Sequence, residues 1–262
     1  MSLFASFKRE RPHPPSSTTI VRMPDVSYAR ASCRRLMAVV LSLLVSIGLV
    51  GCGDSSYEAP IKPSSFVATA KVSKVPIHDA PNSTKVGQRL SNPDIYGQPL
   101  TFLVLEQQED WVKVALPIRP NGSSGWVKLE EVTVQKTPYR LEVAIKAHEL
   151  RLFKDGALQK TYPIGVGTAS TPTPGGIYYL RVLIKTTQPK GAYGPYAYGL
   201  NGFSEVLTDY KGGDGVVGIH GTNDPSSIGK DVSHGCIRVH NADILELAKI
   251  LPLGTPVEIL DA

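Results

Sequence analysis

The segment IHGTNDPSSIGKDVSHGCIRVHN, residues 219–241, brings a cysteine and three histidines together in a short stretch of the chain. His220 ends an apolar run that predicts a short buried strand over residues 216–219. Cys236 follows His234 by two residues, with a glycine between them. The end of a strand holds a side chain well, and glycine lets the backbone approach a ligand closely. This segment therefore predicts a reactive site.

Cys236 is the candidate nucleophile of this site. A thiol attacks as its thiolate, so a catalytic cysteine needs a base or a cation beside it, and His220 can supply the base. The backbone N–H groups of Gly235 and Cys236 are candidates for holding the oxyanion of an acyl-transfer intermediate. An imidazole base also needs an orienting group. Because no Asp or Asn is obviously placed for that task, the Gly221 carbonyl is the candidate.

Two other interpretations of the segment stay open at this point. The first is a metal site, because nitrogen and sulfur ligands are offered by His220, His234, Cys236 and His240. A zinc hydrolase would also need a carboxylate base, and neither Asp231 nor Asp243 lies in a motif-like position. The second is structural, with Cys236 as an apolar core residue flanked by buried histidines.

The segment resembles the signature of the L,D-transpeptidase family, in its YkuD-type catalytic domain, through His220, the sequence SHGCIR at 233–238 and the nearby Asn241. The resemblance extends over about residues 138–260. It includes three further motifs, which are GVGT at 165–168, TPTPGG at 171–176 and GPYAYGLN at 194–201. One departure is that twelve residues separate His220 from Ser233, which is somewhat short for the family. That departure concerns the shape of a loop more than the chemistry.

The resemblance implies cross-linking of peptidoglycan through an acyl-enzyme. Cys236 would attack the carbonyl at the L-centre of the third stem-peptide residue, expel the terminal D-alanine and form a thioester. An amine from a second stem would then resolve the thioester, with His220 acting as acid and base in turn. His234, Gly235 and the Cys236 amide would stabilise the oxyanion.

Ser233 and Arg238 are implied to position the loop or a substrate carboxylate, and the planar fork of Arg238 suits a carboxylate. The alternative for Arg238 is a structural salt bridge. Two alternative functions also stay open. Water could replace the amine as acceptor, giving a carboxypeptidase or a hydrolase that releases wall-linked protein. A wall-binding lipoprotein without catalysis is the alternative of another class.

The expected partners are peptidoglycan stem peptides, with a wall-attached protein as a further candidate. Residues 1–51 hold seven basic and two acidic side chains, which accounts for the whole formal charge of +5. Residues 52–262 therefore carry 21 basic and 21 acidic side chains, so the body of the protein lacks the positive field that nucleic-acid binding requires. No glycine-rich phosphate loop precedes a helix, and we expect no cofactor, nucleotide or metal.

The predicted fold is mostly β. A small Src-homology-3-like barrel at 66–136 precedes a β-rich L,D-transpeptidase catalytic domain at 137–262, which has one main helix. The barrel is inferred because Trp-Val at 111–112 and Gly-Trp-Val at 125–127 resemble the end of a bacterial Src-homology-3-like domain. Its tryptophans serve either the core or a groove for a wall peptide or a partner. Asn241 is predicted to cap the helix at 242–251.

Short alternating runs predict the strands of both domains. In the barrel they lie at 66–72, 100–105, 111–115 and 125–129. In the catalytic domain they lie at 141–145, 149–153, 158–164, 177–184, 216–219 and 256–260. The sequence Lys-Asp-Gly at 154–156 predicts a hairpin turn, because Asp-Gly supplies the positive φ that such turns need.

Residues 36–50, LMAVVLSLLVSIGLV, carry no charge and follow two arginines. They end at Leu-Val-Gly-Cys, residues 49–52, which resembles the bacterial lipobox. The resemblance implies that residues 1–52 are a lipoprotein signal segment ending at a lipidated Cys52. An ordinary anchor helix or a soluble core helix is the alternative. The polar residues 53–65 then form a flexible tether.

This interpretation predicts an exported protein that is lipid-anchored at the periplasmic face of the cell envelope. The outer membrane is favoured because an aspartate stands at the third mature position, Asp54, and not at the second. Of the three cysteines, Cys33 would be removed and Cys52 acylated. Cys236 would then be the one remaining thiol.

Overall fold

The computed structural model describes residues 66–209 and 213–260 of the chain. The predicted signal segment, the lipidated Cys52 and the tether lie outside the described residues. Within the two described ranges, no helix combines the length and the apolar character that crossing a membrane would require.

The first seven strands form one antiparallel sheet. They are β1 (Phe66–Ala70), β2 (Lys74–His78), β3 (Val86–Ser91), β4 (Thr101–Gln108), β5 (Trp111–Ala115), β6 (Ser124–Lys128) and β7 (Val132–Lys136). Their order across the sheet is β3-β2-β6-β5-β4-β1-β7. Alternate residues point to a shared apolar core that includes Phe102, Val112 and Val127. Both Trp111 and Trp126 are buried, which favours a role in the core over a role in a binding groove.

Eight of the ten remaining strands of the described residues build a second sheet, ordered β10-β9-β8-β17-β12-β13-β14-β16. Its members are β8 (Tyr139–Ala144), β9 (Glu149–Lys154), β10 (Ala157–Pro163), β12 (Gly176–Lys185), β13 (Tyr196–Phe203), β14 (Val216–His220), β16 (Ile237–Arg238) and β17 (Pro256–Leu260). A separate parallel pair joins β11 (Val166–Gly167) to β15 (Asp231–Ser233). The predicted mostly β fold is confirmed.

The described residues contain one α-helix, α1 (Asn241–Ile250). It covers the sheet beside β13 and β14 by burying Ile244 and Leu247. The Tyr198 hydroxyl on β13 donates to the Leu251 carbonyl at 3.0 Å, which ties the end of the helix to the sheet. Burial of each such aliphatic side chain contributes about 1.5–3 kcal/mol. The helix therefore fixes the part of the sheet that carries His220.

The predicted cap of this helix is wrong. Asn241 is the first helical residue, and the capping position belongs to His240, which makes no side-chain capping bond. The Asn241 side chain instead accepts a hydrogen bond from the Thr222 N–H at 2.9 Å. The Asn241 side chain therefore stabilises the loop that follows β14 and does not cap the helix.

Candidate active site

His220 is the last residue of β14 and is only 4% exposed. Its Nδ1 atom lies 2.5 Å from the Gly221 carbonyl oxygen. A carbonyl can only accept a hydrogen bond, so Nδ1 must carry the proton that is donated. The neutral imidazole therefore keeps its lone pair on Nε2, the atom that can accept a proton from a nucleophile.

Burial lowers the pKa of His220 to about 4. The positive charge of Arg238 acts in the same direction, and the hydrogen bond to Gly221 opposes both. A lowered histidine pKa means that the neutral form predominates at pH 7. The imidazole is therefore ready to act as a base in the resting protein.

Cys236 lies immediately before β16, the strand that pairs with β14. The parallel pairing of β14 with β16 sets Ile219 beside Ile237 and His220 beside Arg238. Continuing that register sets Cys236 beside Gly218, whose backbone hydrogen-bonds to the thiol. Residues two apart along a strand share a face of the sheet. Cys236 and His220 therefore lie on the same face, on adjacent strands.

Burial raises the pKa of the half-buried Cys236 thiol above its ordinary value of 9.0. The Gly218 hydrogen bond and the Arg238 charge oppose this effect without cancelling it. The resting pair is thus a neutral thiol and a neutral imidazole. If Cys236 acts as the nucleophile, its thiolate would have to form by proton transfer to a base such as His220, because no standing thiolate–imidazolium pair is present.

This protonation state predicts how Cys236 reacts with iodoacetamide. In a Cys33→Ser, Cys52→Ser background, we expect slow alkylation at pH 7 and a rate that rises about tenfold per pH unit up to pH 9. The measurement is the alkylation rate by intact mass, with Cys236→Ala as the control for other sites. A rate that is already constant between pH 6 and pH 8 would mean a standing thiolate and would contradict this assignment.

Ser233 holds the turn that presents the thiol. Its side chain is 2% exposed, and its hydroxyl donates to the Cys236 carbonyl at 2.6 Å. The same hydroxyl accepts the Gly235 N–H at 3.1 Å. Gly235 has φ of 109°, a conformation that residues with a Cβ rarely adopt. The Gly235 N–H is therefore engaged in this structure, although the sequence suggested it as an oxyanion donor.

We expect Ser233→Ala to destabilise this turn, because it removes both hydrogen bonds and leaves the Gly235 N–H without this acceptor. The expected loss is roughly 1–3 kcal/mol in the free energy of unfolding. Urea denaturation measures it. Ser226→Ala is the matched control, because Ser226 is exposed in the loop that precedes β15 and its hydroxyl bonds to Asp224 at 2.6 Å. Equal losses in both variants would contradict the role given to Ser233.

The glycine-rich motif at 165–168 packs directly on this turn. Gly165 exchanges two backbone hydrogen bonds with Arg238, at 2.9 and 2.8 Å. The Thr168 N–H donates to the Ser233 carbonyl at 3.1 Å. A Cβ on Gly167 would lie 2.3 Å from the Thr171 carbonyl oxygen, so only glycine fits there. The motif thus forms one wall of the site.

Arg238 is half-buried beside the reactive pair, and its charge bears on the pKa of both Cys236 and His220. Among the described residues, no carboxylate lies within 4.0 Å of its guanidinium. The structural salt bridge considered from the sequence is therefore not formed with any described residue. His234, by contrast, is exposed on the turn.

Sequence reasoning did not single out Tyr193, which helps to shape the site. The Tyr193 ring lies edge-on to the His220 imidazole, with their centroids 4.8 Å apart. Gly194 and Gly221 pack so closely that a Cβ on either would lie 2.2 Å from Asn241 Oδ1. The motif at 194–201 signalled this region, but nothing in it points to Tyr193, whose contact depends on how the loop after β12 folds.

The metal interpretation finds no matching cluster in the described part of the chain. Across residues 66–209 and 213–260, no three His, Cys, Asp or Glu side chains are grouped as ligands of one ion would be.

A family model described as the L,D-transpeptidase catalytic domain, YkuD, matches residues 138–259. The chain is similar to the YkuD protein of Bacillus licheniformis, 46% identical over 122 residues, which cover 47% of this chain and 66% of that protein. It is similar to the YqjB protein of Bacillus subtilis, 36% identical over 121 residues, which cover 44% and 68%. Both relatives are named as L,D-transpeptidases. The chain thus spans slightly less than two thirds of the Bacillus licheniformis protein.

Among solved structures, Bdellovibrio bacteriovorus Bd1075 is similar at 29% sequence identity, with a TM-score of 0.38 over 48% of each chain.

Proposed function

The chain belongs to the L,D-transpeptidase family, and from that premise we propose that it is a cysteine-dependent L,D-transpeptidase acting on peptidoglycan stem peptides. The observation that carries the proposal is the orientation of His220. Its Nδ1 donates to the Gly221 carbonyl, which leaves the lone pair on Nε2, and His220 lies on the strand next to Cys236. That arrangement suits transfer of an acyl group through a thioester.

In the first step, the Cys236 thiol gives its proton to His220 Nε2 while the sulfur attacks the carbonyl carbon of the third stem residue. The C–N bond to the terminal D-alanine then breaks, and the imidazolium returns the proton to the leaving amine. In the second step, an amine of another stem attacks the thioester. His220 takes a proton from that amine, the C–S bond breaks, and the thiol is restored.

The oxyanion in both steps would be held by the Cys236 N–H, supported by His234 and Gly235 on the same turn. Gly235 contributes its N–H only if the bond to Ser233 is exchanged for one to the oxyanion. Arg238 would bind a substrate carboxylate, because its guanidinium forms no ion pair with a described residue and its fork matches a carboxylate.

Incubation of the protein with defined tetrapeptide stems tests the proposal. Dimeric product together with released D-alanine supports transpeptidation. Trimmed stems alone would make water the acceptor and overturn the transferase assignment in favour of a carboxypeptidase. Stems that stay unchanged under conditions where iodoacetamide alkylates Cys236 would overturn the enzyme proposal and favour a wall-binding protein.

We also propose the domain organisation that the sequence predicts. Residues 1–52 form a signal segment ending at a lipidated Cys52, and residues 53–65 a tether. Residues 66–136 form a Src-homology-3-like domain, and residues 137–262 the catalytic domain. The lipobox-like sequence supports an anchor at the periplasmic face of the envelope, where a wall-attached protein could also be an acceptor. Palmitate incorporation that persists in Cys52→Ala would overturn the lipid anchor.

A further inference from the structure

The connection between β3 and β4 contacts the catalytic sheet through polar side chains that reach β12. Asp94, in the connection between β3 and β4, lies 3.3 Å from the Arg181 guanidinium on β12, and both side chains are at least 92% buried. The Gln98 side chain bonds to both backbone groups of Leu183, at 2.5 and 3.1 Å. Strand β17 pairs with β12 only along residues 176–179, so Gln98 takes up an edge that β17 leaves open.

A second contact grips the connection between β13 and β14. The Asn121 side chain donates to the Phe203 carbonyl at 2.8 Å and accepts the Phe203 N–H at 2.9 Å. The Arg119 guanidinium donates to the Ser204 carbonyl at 2.9 Å and to the Asp214 carbonyl at 2.8 Å. We call Arg119 and Asn121 the clamp. The clamp joins the residue that ends β13 to a residue two positions before β14.

The clamp acts where the ladder between β13 and β14 is irregular. Gly199 faces Gly218, but the next pair along the strands is Phe203 with Val216, so two extra residues of β13 bulge out between them. A bulged ladder fixes the start of β14 less firmly than a regular one. Val216, the first residue of β14, also packs with Tyr96, which lies in the connection between β3 and β4. The clamp and Tyr96 therefore hold the start of β14 in place where the bulged ladder holds it less firmly.

Displacement at the start of β14 would reach the reactive atoms. Strand β14 has five residues, with Gly218 at its middle and His220 at its end. Only two residue pairs join β14 to β16, so β16 does little to resist a tilt. The Gly218 backbone bonds to the Cys236 thiol, and His220 is the base. A tilt would therefore move the Gly218 backbone away from the thiol and change the position of His220 relative to Cys236.

We propose that Arg119 and Asn121 are positioning residues for acyl transfer, acting through β14 from outside the catalytic sheet. On this proposal the domain at 66–136 positions catalytic residues through β14, in addition to any wall-binding or spacing role. The inference rests on the proposed function for its kinetic consequences. Its geometric consequence, the environment of the Cys236 thiol, can be measured without any substrate.

The test is Arg119→Lys in the full-length chain. Lysine keeps the charge but cannot bridge two carbonyls with one planar group. We expect kcat for stem-peptide dimer formation to fall about tenfold to 100-fold with KM unchanged, because small misplacement of reacting groups is costly. We expect alkylation of Cys236 by iodoacetamide at pH 8 to slow about threefold or more, because loss of the Gly218 hydrogen bond raises the thiol pKa further.

Asn121→Asp is measured alongside, because it is isosteric and replaces the donor to the Phe203 carbonyl with a charged oxygen that can only accept. It keeps the test intact if Arg119→Lys does not fold. Arg89→Lys is the matched control, since Arg89 is exposed on β3 and the same exchange there should change neither rate. Thermal unfolding reports the stability of each variant separately.

Alkylation rates and kcat in a folded clamp variant that equal those of Arg89→Lys would overturn the positioning role and leave the clamp a purely structural contact. If the unsubstituted protein forms no dimer but alkylation slows in the clamp variants, the proposed function fails and the positioning inference stands.

Discussion

We expect Cys236→Ser to lose stem-peptide transfer by about 10⁴-fold or more, as removal of a nucleophile from an acyl-transfer site does elsewhere. The physical reason is that His220 is a weak base, so the group that it deprotonates must be a comparatively strong acid. A His220 whose pKa is about 4 can take a proton from a thiol only when both are held in place. A serine hydroxyl is a much weaker acid than a thiol, so the same imidazole cannot generate its alkoxide.

Two measurements check this expectation. Dimer formation from defined stems gives the loss in rate, and intact mass after exposure to a carbapenem shows whether the thiol is acylated. We expect one drug mass on the unsubstituted protein and none on Cys236→Ser. Cys52→Ser is the matched control, because it makes the same exchange outside the catalytic domain and should keep both properties. An adduct that persists on Cys236→Ser would show that the nucleophile is another residue.

Local sequence patterns were sufficient for several elements. Strands β5 and β17 were predicted at their observed ends, residues 111–115 and 256–260, because alternation and flanking turn residues both mark them. The turn between β9 and β10 was also confirmed. Asp155 and Gly156 have φ of 51° and 83°, which is the positive φ that such a turn demands.

Other elements depend on contacts that no local pattern encodes. Strand β13 contains two glycines, which lower strand propensity, yet all its residues after Tyr196 are buried between β12 and β14. Strand β16 has only two residues and exists because β14 lies beside it. The Asn241 side chain looked like a helix cap from its neighbours, but the Thr222 N–H, nineteen residues earlier in the chain, binds it instead.

The same distinction applies to the site. The residue types at 220 and 233–238 suggested a thiol, a base and a tight turn, and the Gly221 carbonyl was named as the candidate that orients the imidazole. Their protonation states were not predictable, because burial sets them and burial is a property of the fold. The clamp was not predictable either. Arg119 lies between β5 and β6 without a motif around it, and its acceptors are carbonyls of a distant loop.

We expect His220→Gln to lower the rate of stem-peptide transfer by about 10²–10⁴-fold, because glutamine cannot accept the thiol proton. In the unsubstituted protein the rate should fall with decreasing pH only near pH 4, where Nε2 becomes protonated, and not near the ordinary histidine value of 6.5. That acid limb should be absent from the residual rate of the variant. His148→Gln, at a histidine whose partner is Asp231 at 2.8 Å, is the control and should keep the limb.

The lowered pKa of His220 should also appear in an unrelated measurement. Between pH 6.5 and pH 4 the unfolded chain binds a proton at His220 that the folded protein does not, so the free energy of unfolding falls as the pH falls through that window. The contribution of this one residue is roughly 3 kcal/mol. His220→Gln should remove it, so that the difference in unfolding free energy between pH 7 and pH 4 becomes smaller than in the unsubstituted protein. An acid limb near pH 6.5, with unchanged pH dependence of stability in the variant, would mean that the imidazole is solvated and that the buried neutral base is absent.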